Sequence, residues 1–374
     1  MQEVSAKRSE FLSFQPPAIT EAEVEAVAET LRSGWLTTGP RTAELEARMR
    51  EYLEAEHVLA VSSCTAALHL SLVALGVGPG DEVITTSLTW PATANVIVHA
   101  GATPVFADVR EDTLNIDAGH AAALVTERTK AIVPVDLYGQ PADLDELAAL
   151  GLPLVEDAAH AAESRYRGRK IGSISDLTCF SLYATKNIAA GEGGLIATNR
   201  DDLAAALDDL RVMRRGHGSL YDIAVPGYKA NLSDVLSSIA LVQLDKVEHH
   251  AEIRRRHVAI YEEGVADLEG VVPVARDPRD EHANHLFVVR VTFADRDEVQ
   301  RALAEENIGT SIHFLPVHRL SAYRGRLASH QPPLPVTERA GGEVLSLPLS
   351  PAHSEDDVRD AVAALRRVHE RLAG

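Results

Sequence analysis

The sequence predicts an α/β fold in which a mostly parallel sheet lies between helices, followed by a smaller C-terminal α+β unit. Two observations support this prediction. Seven short apolar runs alternate with segments of helical periodicity between residues 57 and 198, and strands buried on both faces have this near-continuous apolar pattern. From about Ala251 the pattern changes to fewer strands with flanking helices. We therefore predict a large domain over residues 1–250 and a small domain over residues 251–374.

Composition excludes several classes of partner. The chain has 374 residues, a hydrophobic fraction of 45% and a net charge of −19, which is typical of a globular protein and repels a nucleic-acid backbone. No apolar run reaches transmembrane length, and no signal-peptide core follows Lys7 and Arg8. Cys64 and Cys179 lie in apolar contexts and are expected to be reduced. We therefore expect a cytoplasmic protein that binds neither nucleic acid nor a membrane.

The N-terminal region is predicted to contain two helices, over about residues 19–31 and 42–53, of which the first is capped by Thr20. The loop between them carries Trp35 and Thr37. These side chains could stack on and hydrogen-bond a ligand, or the loop could be a packed connector. The residues alone favour neither alternative.

The large domain is predicted to alternate strands and helices. The predicted strands are residues 57–61, 83–85, 104–106, 131–135, 153–155, 177–182 and 194–198. The predicted helices between them include residues 65–75, 94–100 and 143–150. Ligands of such sheets bind outside the carboxyl ends of the strands, so the residues directly after each strand are the candidates for a site.

The strand ends carry an unusual set of side chains. In chain order they are Thr65 and Ala66 at a helix start, Trp90, Asp157, His160, Ser181 and Lys186. Taken singly, each has an ordinary structural explanation, such as a helix cap or an exposed lysine. Together they provide a phosphate cradle, an aromatic face, a carboxylate, an imidazole and an amine, the set that pyridoxal 5'-phosphate (PLP) requires. A buried lysine is costly as a cation but useful as a neutral nucleophile.

Longer motifs carry a resemblance to a known family. They are Ser33–Pro40, Gly80–Ile84, Glu156–Ala161, Phe180–Asn187, Gly191–Gly194 and Pro226–Asp234. On these motifs the sequence resembles the sugar aminotransferases of nucleotide-sugar biosynthesis, PLP enzymes of fold type I. The resemblance implies a large domain with a mixed, mostly parallel seven-stranded sheet and PLP as the cofactor. It also implies transfer of an amino group from L-glutamate, which becomes 2-oxoglutarate, to a nucleotide-linked keto sugar.

The resemblance also implies roles for single residues. Lys186 would bind the cofactor aldehyde covalently, and Asp157 would contact the pyridine nitrogen. Trp90 would stack on the cofactor ring, and His160 would lie near its 3-hydroxyl. The phosphate would be held by Thr65, Ala66 and Ser181.

Further implied roles concern the partner subunit and the substrate. Asn231 would reach the phosphate of the neighbouring subunit, which implies an obligate homodimer with shared active sites. The candidates for substrate contact are Trp35, Thr37, Tyr183, Lys229 and His313. For His313, a structural role is an equal alternative.

The choice of substrate is less defined by the sequence. Lysine at position 186 argues against the dehydratases of the same family, which carry histidine there. The motif Gly191–Gly194 resembles members that act at C4 of the sugar more than those that act at C3. Many relatives carry Gln at the position of His160 and His at the position of Tyr183, so these two positions do not define the preferred sugar. The alternatives are a C3-keto sugar or cyclitol ketone aminotransferase, and a non-catalytic regulator that binds PLP or a sugar nucleotide.

The C-terminal unit is predicted to contain a strand over residues 286–291 and a helix over residues 297–305. His282, His285 and His318 lack the spacing of zinc ligands, and we predict no metal site.

Overall fold

The structure is a computed structural model that describes residues 7–213, 223 and 225–373. Its helices are α1 (Glu21–Ser33), α2 (Pro40–Leu53), α3 (Cys64–Ala74), α4 (Pro91–His99), α5 (Ala118–Ala123), α6 (Leu144–Ala148), α7 (Asp201–Val212), α8 (Asp234–Val265), α9 (Arg296–Glu305), α10 (Pro335–Glu343) and α11 (Glu355–Leu372). Its strands are β1 (His57–Val61), β2 (Glu82–Thr86), β3 (Thr103–Ala107), β4 (Thr129–Val133), β5 (Val155–Asp157), β6 (Arg165–Tyr166), β7 (Arg169–Lys170), β8 (Leu177–Ser181), β9 (Gly194–Thr198), β10 (Val271–Pro273), β11 (Phe287–Val291) and β12 (Val344–Leu347).

The strands of the first 200 residues form two ladders. One ladder has the order β1-β9-β8-β5 and the other has the order β3-β2-β4. Strand β9 is antiparallel to both of its neighbours, whereas β2 with β3, β2 with β4 and β5 with β8 are parallel pairs. The fold is therefore mixed α/β with a mixed sheet, as predicted.

The two ladders meet between β4 and β5. Only isolated parallel bridges join them, from Ile132 to Leu154 and from Val135 to Asp157. Pro134 and Pro153 lie at this junction, and a proline has no N–H to donate to a ladder. The predicted seven strands are all present, but they do not form one regular seven-stranded ladder.

Helix α1 shows how closely local sequence determines an element. The backbone N–H of Thr20 donates to the Glu23 carboxylate at 2.9 Å, and a capping box is formed at this helix start. Gly34 ends the helix with a φ of 75°, a conformation that glycine adopts without steric cost. The predicted cap of this helix is confirmed, and the helix extends two residues beyond the predicted range.

Helix α8 passes from one part of the molecule to the other. Its first half packs Leu241, Leu244 and Val247 into the core beside the sheet. Its second half packs Val258 and Tyr261 against the C-terminal antiparallel sheet, which has the order β10-β11-β12. The predicted boundary at residue 250 lies inside this helix. The division into residues 1–250 and 251–374 stays a prediction, and residues 1–6 and 374 of it lie outside the described residues.

The sheet brings several chain segments to one edge. Strands β1, β2, β5 and β8 all end there, because β1 and β8 are both antiparallel to β9 and therefore parallel to each other. The segments after these four strands thus meet at the carboxyl edge, where ligands of α/β proteins bind. Among the described residues, no helix combines the length and apolar character needed to span a membrane.

Candidate active site

A cavity of about 480 Å³ lies at this edge of the sheet. The predicted residues that line it are Thr65, Trp90, Asp157, His160, Ser181, Tyr183, Lys186 and His313. The predicted convergence of a helix start, an aromatic ring, a carboxylate, an imidazole and a lysine is therefore present. The size suits a small-molecule ligand.

Lys186 lies on the loop between β8 and β9. Its backbone N–H donates to the carbonyl of Tyr183 at 2.8 Å, which closes a turn and directs the side chain into the cavity wall. Burial lowers the pKa of Lys186 to about 8, although Cys64 and Asp157 act in the opposite direction. No hydrogen bond joins its amine to any other residue that the structure describes. The amine is thus unpaired, and a larger share of it is neutral near pH 7 than for an exposed lysine.

Asp157 is the last residue of β5 and is 6% exposed. Its Oδ2 accepts from the hydroxyl of Thr93 at 2.8 Å, and its Oδ1 accepts from the N–H of Ala159 at 3.2 Å. Burial raises the pKa of Asp157, while these two donors and Lys186 counter that effect. The carboxylate is held in one orientation beside the cavity, as a partner for a protonated ring nitrogen must be.

His160 is neutral and its tautomer is defined. Burial lowers the pKa of His160 well below its usual value, and Lys186 and His313 lower it further. The backbone N–H of Tyr138 donates to its Nδ1 at 3.3 Å, so this nitrogen carries no hydrogen. Its hydrogen is therefore on Nε2, and the ring can donate from that atom. The ring also stacks on His285 at a centroid distance of 4.4 Å.

The start of α3 forms the polar end of the cavity. Ser63 caps the helix, since its Oγ accepts from the N–H of Ala66 at 3.1 Å. A Cβ on Gly194 would lie 2.5 Å from the carbonyl carbon of Ser63 and 2.6 Å from the nitrogen of Cys64, so only glycine allows β9 to approach this helix start. Thr65 faces the cavity. Backbone N–H groups and a hydroxyl at a helix N-terminus suit a phosphate.

Two aromatic side chains and a histidine surround the opening. Trp90 is 64% exposed and Tyr183 is 47% exposed, which is unusual for such large side chains and leaves their faces available to a ligand. His313 accepts from or donates to Ser346 Oγ at 2.8 Å and stacks on Phe14. Burial lowers the pKa of His313 to about 4, and Lys186 contributes.

Several predicted site residues lie outside this cavity. They are Ala66, Asn231, Trp35, Thr37 and Lys229. The amide Nδ2 of Asn231 donates to Thr38 Oγ1 at 2.5 Å, and Lys229 bonds the carbonyl oxygen of the same amide. Trp35 also bonds Thr38, through its Nε1 and the Thr38 carbonyl at 3.2 Å, whereas Ala66 lies in the first turn of α3. The predicted roles of the five residues stay predictions.

The cavity also contains residues that sequence reasoning did not select. They are Gln15, Ser63, Cys64, Leu68, Thr89, Ala92, Val135, Ala159, Thr185, Glu192, Gly193, His285, Ser311, Ile312 and Phe314. Thr93, which orients Asp157, was missed too, although its position one helical turn after Trp90 was a usable signal. Gln15 and His285 are remote in sequence from every motif and gave no such signal.

Metal ligands are not clustered in the described part of the chain: it contains no group of three or more His, Cys, Asp or Glu side chains that could hold an ion. His318 bonds Ser87 Oγ at 2.7 Å, and its other ring nitrogen bonds Glu338 at 2.5 Å.

The donor set fits PLP. An unpaired amine whose pKa is lowered to about 8 and a fixed carboxylate face the same cavity, the open ring of Trp90 lies beside it, and a helix N-terminus closes one end. In PLP, the aldehyde needs an amine and the pyridine nitrogen needs a carboxylate. The ring needs an aromatic stacking partner, and the phosphate needs a helix N-terminus or similar donors.

Solved structures agree with this fit. Spr1654 from Streptococcus pneumoniae in its PLP form matches with a TM-score of 0.91 and 34% identity, over 97% of this chain and 99% of that chain. DesI, solved in the presence of its TDP-sugar product, matches with a TM-score of 0.90 and 34% identity, over 98% of this chain and 94% of that chain. The fold and site define a PLP-dependent sugar aminotransferase of fold type I.

The chain belongs to the DegT/DnrJ/EryC1/StrS aminotransferase family, whose profile matches residues 17–366. It is 42% identical over 384 aligned positions to the spore coat polysaccharide biosynthesis protein SpsC of Bacillus subtilis (strain 168), covering 97% of this chain and 98% of that protein. The predicted family, class of enzyme and cofactor are confirmed.

Proposed function

We propose that this chain transfers an amino group from L-glutamate, through PLP, to the C4 keto group of a nucleotide-linked 4-keto-6-deoxy or related sugar. The observation that carries the proposal is the placement of Lys186 and Asp157 in the wall of one cavity, with the amine unpaired and the carboxylate fixed. That pairing provides a nucleophile at one end of a pyridine ring and a proton-holding group at the other.

Lys186 is proposed to act twice in each half of the reaction. PLP, when bound, supplies an aldehyde and a ring that accepts electrons from the carbon next to the transferred nitrogen. Lys186 would hold the cofactor through its amine, and the amine freed by the incoming amino donor would move the proton between that carbon and the cofactor carbon on the other side of the transferred nitrogen. A lysine with a pKa of about 8 suits this role because its neutral form is available near neutral pH.

Asp157 and His160 are proposed to set the charge of the cofactor ring. The Asp157 carboxylate, held by Thr93 and Ala159, would keep a proton on the ring nitrogen. His160 would donate from Nε2 to the ring hydroxyl, since its Nδ1 already accepts from Tyr138. Both side chains are buried, so their interactions with charge are weakly screened by water.

The proposed sugar substrate rests on family membership and on one motif. DesI, a structural relative, was solved with a TDP-sugar product, and SpsC is named for polysaccharide biosynthesis. The motif Gly191–Gly194 resembles that of members acting at C4, and Glu192 and Gly193 from it line the cavity. We infer that this loop contacts the sugar.

A homodimer with shared active sites is also proposed. An apolar surface groove formed by α1, the 184–191 loop and Ile239 lies open, and Ile19 and Val24 on it are 47% and 53% exposed. Asn231 lies outside its own protomer's cavity, as a residue serving the neighbouring site would. A second copy of the chain packed on this groove would bury these apolar side chains. A cytoplasmic location, in keeping with the two free thiols of Cys64 and Cys179, is part of the same proposal.

A substrate comparison tests the proposed function. Purified enzyme with PLP and L-glutamate is given a nucleotide-linked 4-keto sugar, the 3-keto isomer or a cyclitol ketone, and the amino product is measured. We expect the 4-keto sugar to have the highest kcat/KM. A higher value for the 3-keto sugar or the cyclitol would contradict the C4 assignment. Loss of the bound-cofactor absorbance on adding glutamate alone separates an aminotransferase from a regulator.

A further inference from the structure

A buried ion pair lies behind the active site. Arg254 of α8 bonds Oε1 of Glu163, and their side chains are only 2% and 6% exposed. Taking two charges out of water is costly, and such a pair is often no more stabilising than apolar side chains of equal volume. A buried pair beside an active site therefore invites a functional explanation.

Asn187 connects this ion pair to the catalytic loop. Its Nδ2 lies 2.8 and 2.9 Å from the two carboxylate oxygens of Glu163 and 3.1 Å from the carbonyl oxygen of Ala283. Three acceptors around one nitrogen define the orientation of the amide. Asn187 is 7% exposed and directly follows Lys186, so the ion pair holds the main chain on which that lysine is carried.

The orientation of the Asn187 amide determines the tautomer of His285. Its carbonyl Oδ1 can only accept a hydrogen, and it lies 3.0 Å from Nδ1 of His285. Nδ1 of His285 must therefore carry the hydrogen, and Nε2 has a free lone pair. Burial lowers the pKa of His285 well below its usual value, and Lys186 and His160 add to this, so the ring is neutral.

His285 in turn supports His160, the histidine that is proposed to contact the cofactor. The rings of His285 and His160 are stacked at 4.4 Å with an interplanar angle of 26°, and both line the cavity. The ring of Phe314 also stacks on His160, at a centroid distance of 6.1 Å. The orientation of His160 thus depends on a ring that Asn187 holds in place.

We propose that Asn187, oriented by the buried Glu163–Arg254 pair, is a positioning residue that fixes the main chain carrying Lys186 and holds His285 as the Nδ1–H tautomer against His160. The part of this role that concerns catalysis rests on the proposed function of Lys186 and His160. The hydrogen-bond network and the tautomer do not depend on that function.

Two measurements on the cofactor-free protein test the proposal. Nitrogen NMR of labelled histidine side chains reports the tautomer of His285, with its signals assigned by their loss in His285→Gln. The second is the rate at which added PLP becomes attached to Lys186, measured by borohydride quenching and mass spectrometry. The variants are Asn187→Ala and the double variant Glu163→Leu/Arg254→Met, which removes both charges together and so leaves no unpaired ion.

We expect both variants to lose the single Nδ1–H signal of His285 and to attach PLP about tenfold more slowly, because a small displacement of a reacting group costs at least that much. The matched control is Asn199→Ala, which removes an asparagine that bonds Glu56 N at 2.8 Å and Ser173 O at 3.0 Å away from the cavity. Its tautomer signal and attachment rate should equal those of the wild type.

The outcomes separate the two proposals. If wild-type His285 carries its hydrogen on Nε2, the positioning proposal is wrong whether or not any variant folds. If a variant with wild-type melting behaviour keeps both the tautomer and the attachment rate, the proposal is also wrong. If wild-type protein attaches PLP at a residue other than Lys186, the proposed function fails while the tautomer result still stands.

Discussion

The hydroxyl of Thr93 donates to Oδ2 of Asp157 across 2.8 Å, from the first turn of α4. The same hydroxyl lies 2.9 Å from that of Thr89, which can donate to it in turn. Two threonines next to Trp90 thus orient the carboxylate that is proposed to contact the ring nitrogen. The segment that carries the proposed stacking ring therefore also orients Asp157, which lies on β5.

Thr93→Val should weaken cofactor binding and catalysis with little change in the fold. A hydrogen bond to a charged acceptor contributes about 1.5–3 kcal/mol, so we expect the PLP dissociation constant to rise and kcat to fall, each by about tenfold. Spectrophotometric titration and steady-state rates measure these effects. The control is Thr85→Val, which removes a buried threonine that bonds Val133 O at 2.8 Å elsewhere in the sheet. Equal losses in both variants would show that Thr93 is only structural.

The rate of PLP attachment should depend on pH through Lys186. Because burial lowers the pKa of this amine to about 8, it is mostly cationic below that value and neutral above it. We expect the attachment rate of cofactor-free protein to rise nearly tenfold per pH unit up to about pH 8 and then to level off. Stopped-flow absorbance measures it.

Lys170 provides a control for that profile, since burial lowers its pKa to about 8 as well. Lys170→Met should leave the profile unchanged, whereas Lys186→Met should abolish attachment. A wild-type rate that continues to rise to about pH 10 would place the pKa of Lys186 near that of an ordinary lysine and contradict the account.

Gly194→Ala should disrupt the polar end of the cavity, where the phosphate is expected to bind. Its Cβ would lie 2.5 Å from the carbonyl carbon of Ser63, so β9 or the start of α3 must move. We expect PLP affinity to fall by about tenfold or more, a loss of at least about 1.4 kcal/mol. Gly342→Ala is the control, because its Cβ would meet nothing within 4 Å. It should keep wild-type affinity. Wild-type affinity in Gly194→Ala would argue against this helix start as the phosphate site.

Hybrid dimers test whether Asn231 serves the neighbouring protomer. We expect Lys186→Met chains and Asn231→Ala chains each to be inactive or weak alone. In a hybrid, the intact Lys186 of one chain meets the intact Asn231 of the other, so one of the two sites should regain activity. Refolding the mixed chains and assaying the product measures this. No recovery would mean that Asn231 acts within its own protomer or not in the site.

Much of the site could be predicted because its residues lie directly after strands. The apolar runs at residues 57–61, 153–155 and 177–182 indicate β1, β5 and β8, and parallel geometry then places the loops after these strands at one edge of the sheet. Local capping chemistry at Thr20 and Gly34 was equally readable. These features depend on neighbours in sequence.

The rest depends on contacts that no local pattern contains. Strands β4 and β5 were predicted at residues 131–135 and 153–155 but lie at Thr129–Val133 and Val155–Asp157, since Pro134 and Pro153 interrupt the ladder there. Gln15 and His285 reach the cavity only through tertiary packing, in which Gln15 Nε2 donates to the His285 carbonyl at 3.0 Å.

The proposed function depends most directly on the covalent attachment of PLP to Lys186. Purified enzyme is incubated with PLP, reduced with borohydride, digested and analysed by mass spectrometry. We predict a pyridoxyl group on Lys186 and none on Lys170, the other lysine whose pKa burial lowers to about 8. An unmodified Lys186, or label spread over surface lysines, would contradict the account.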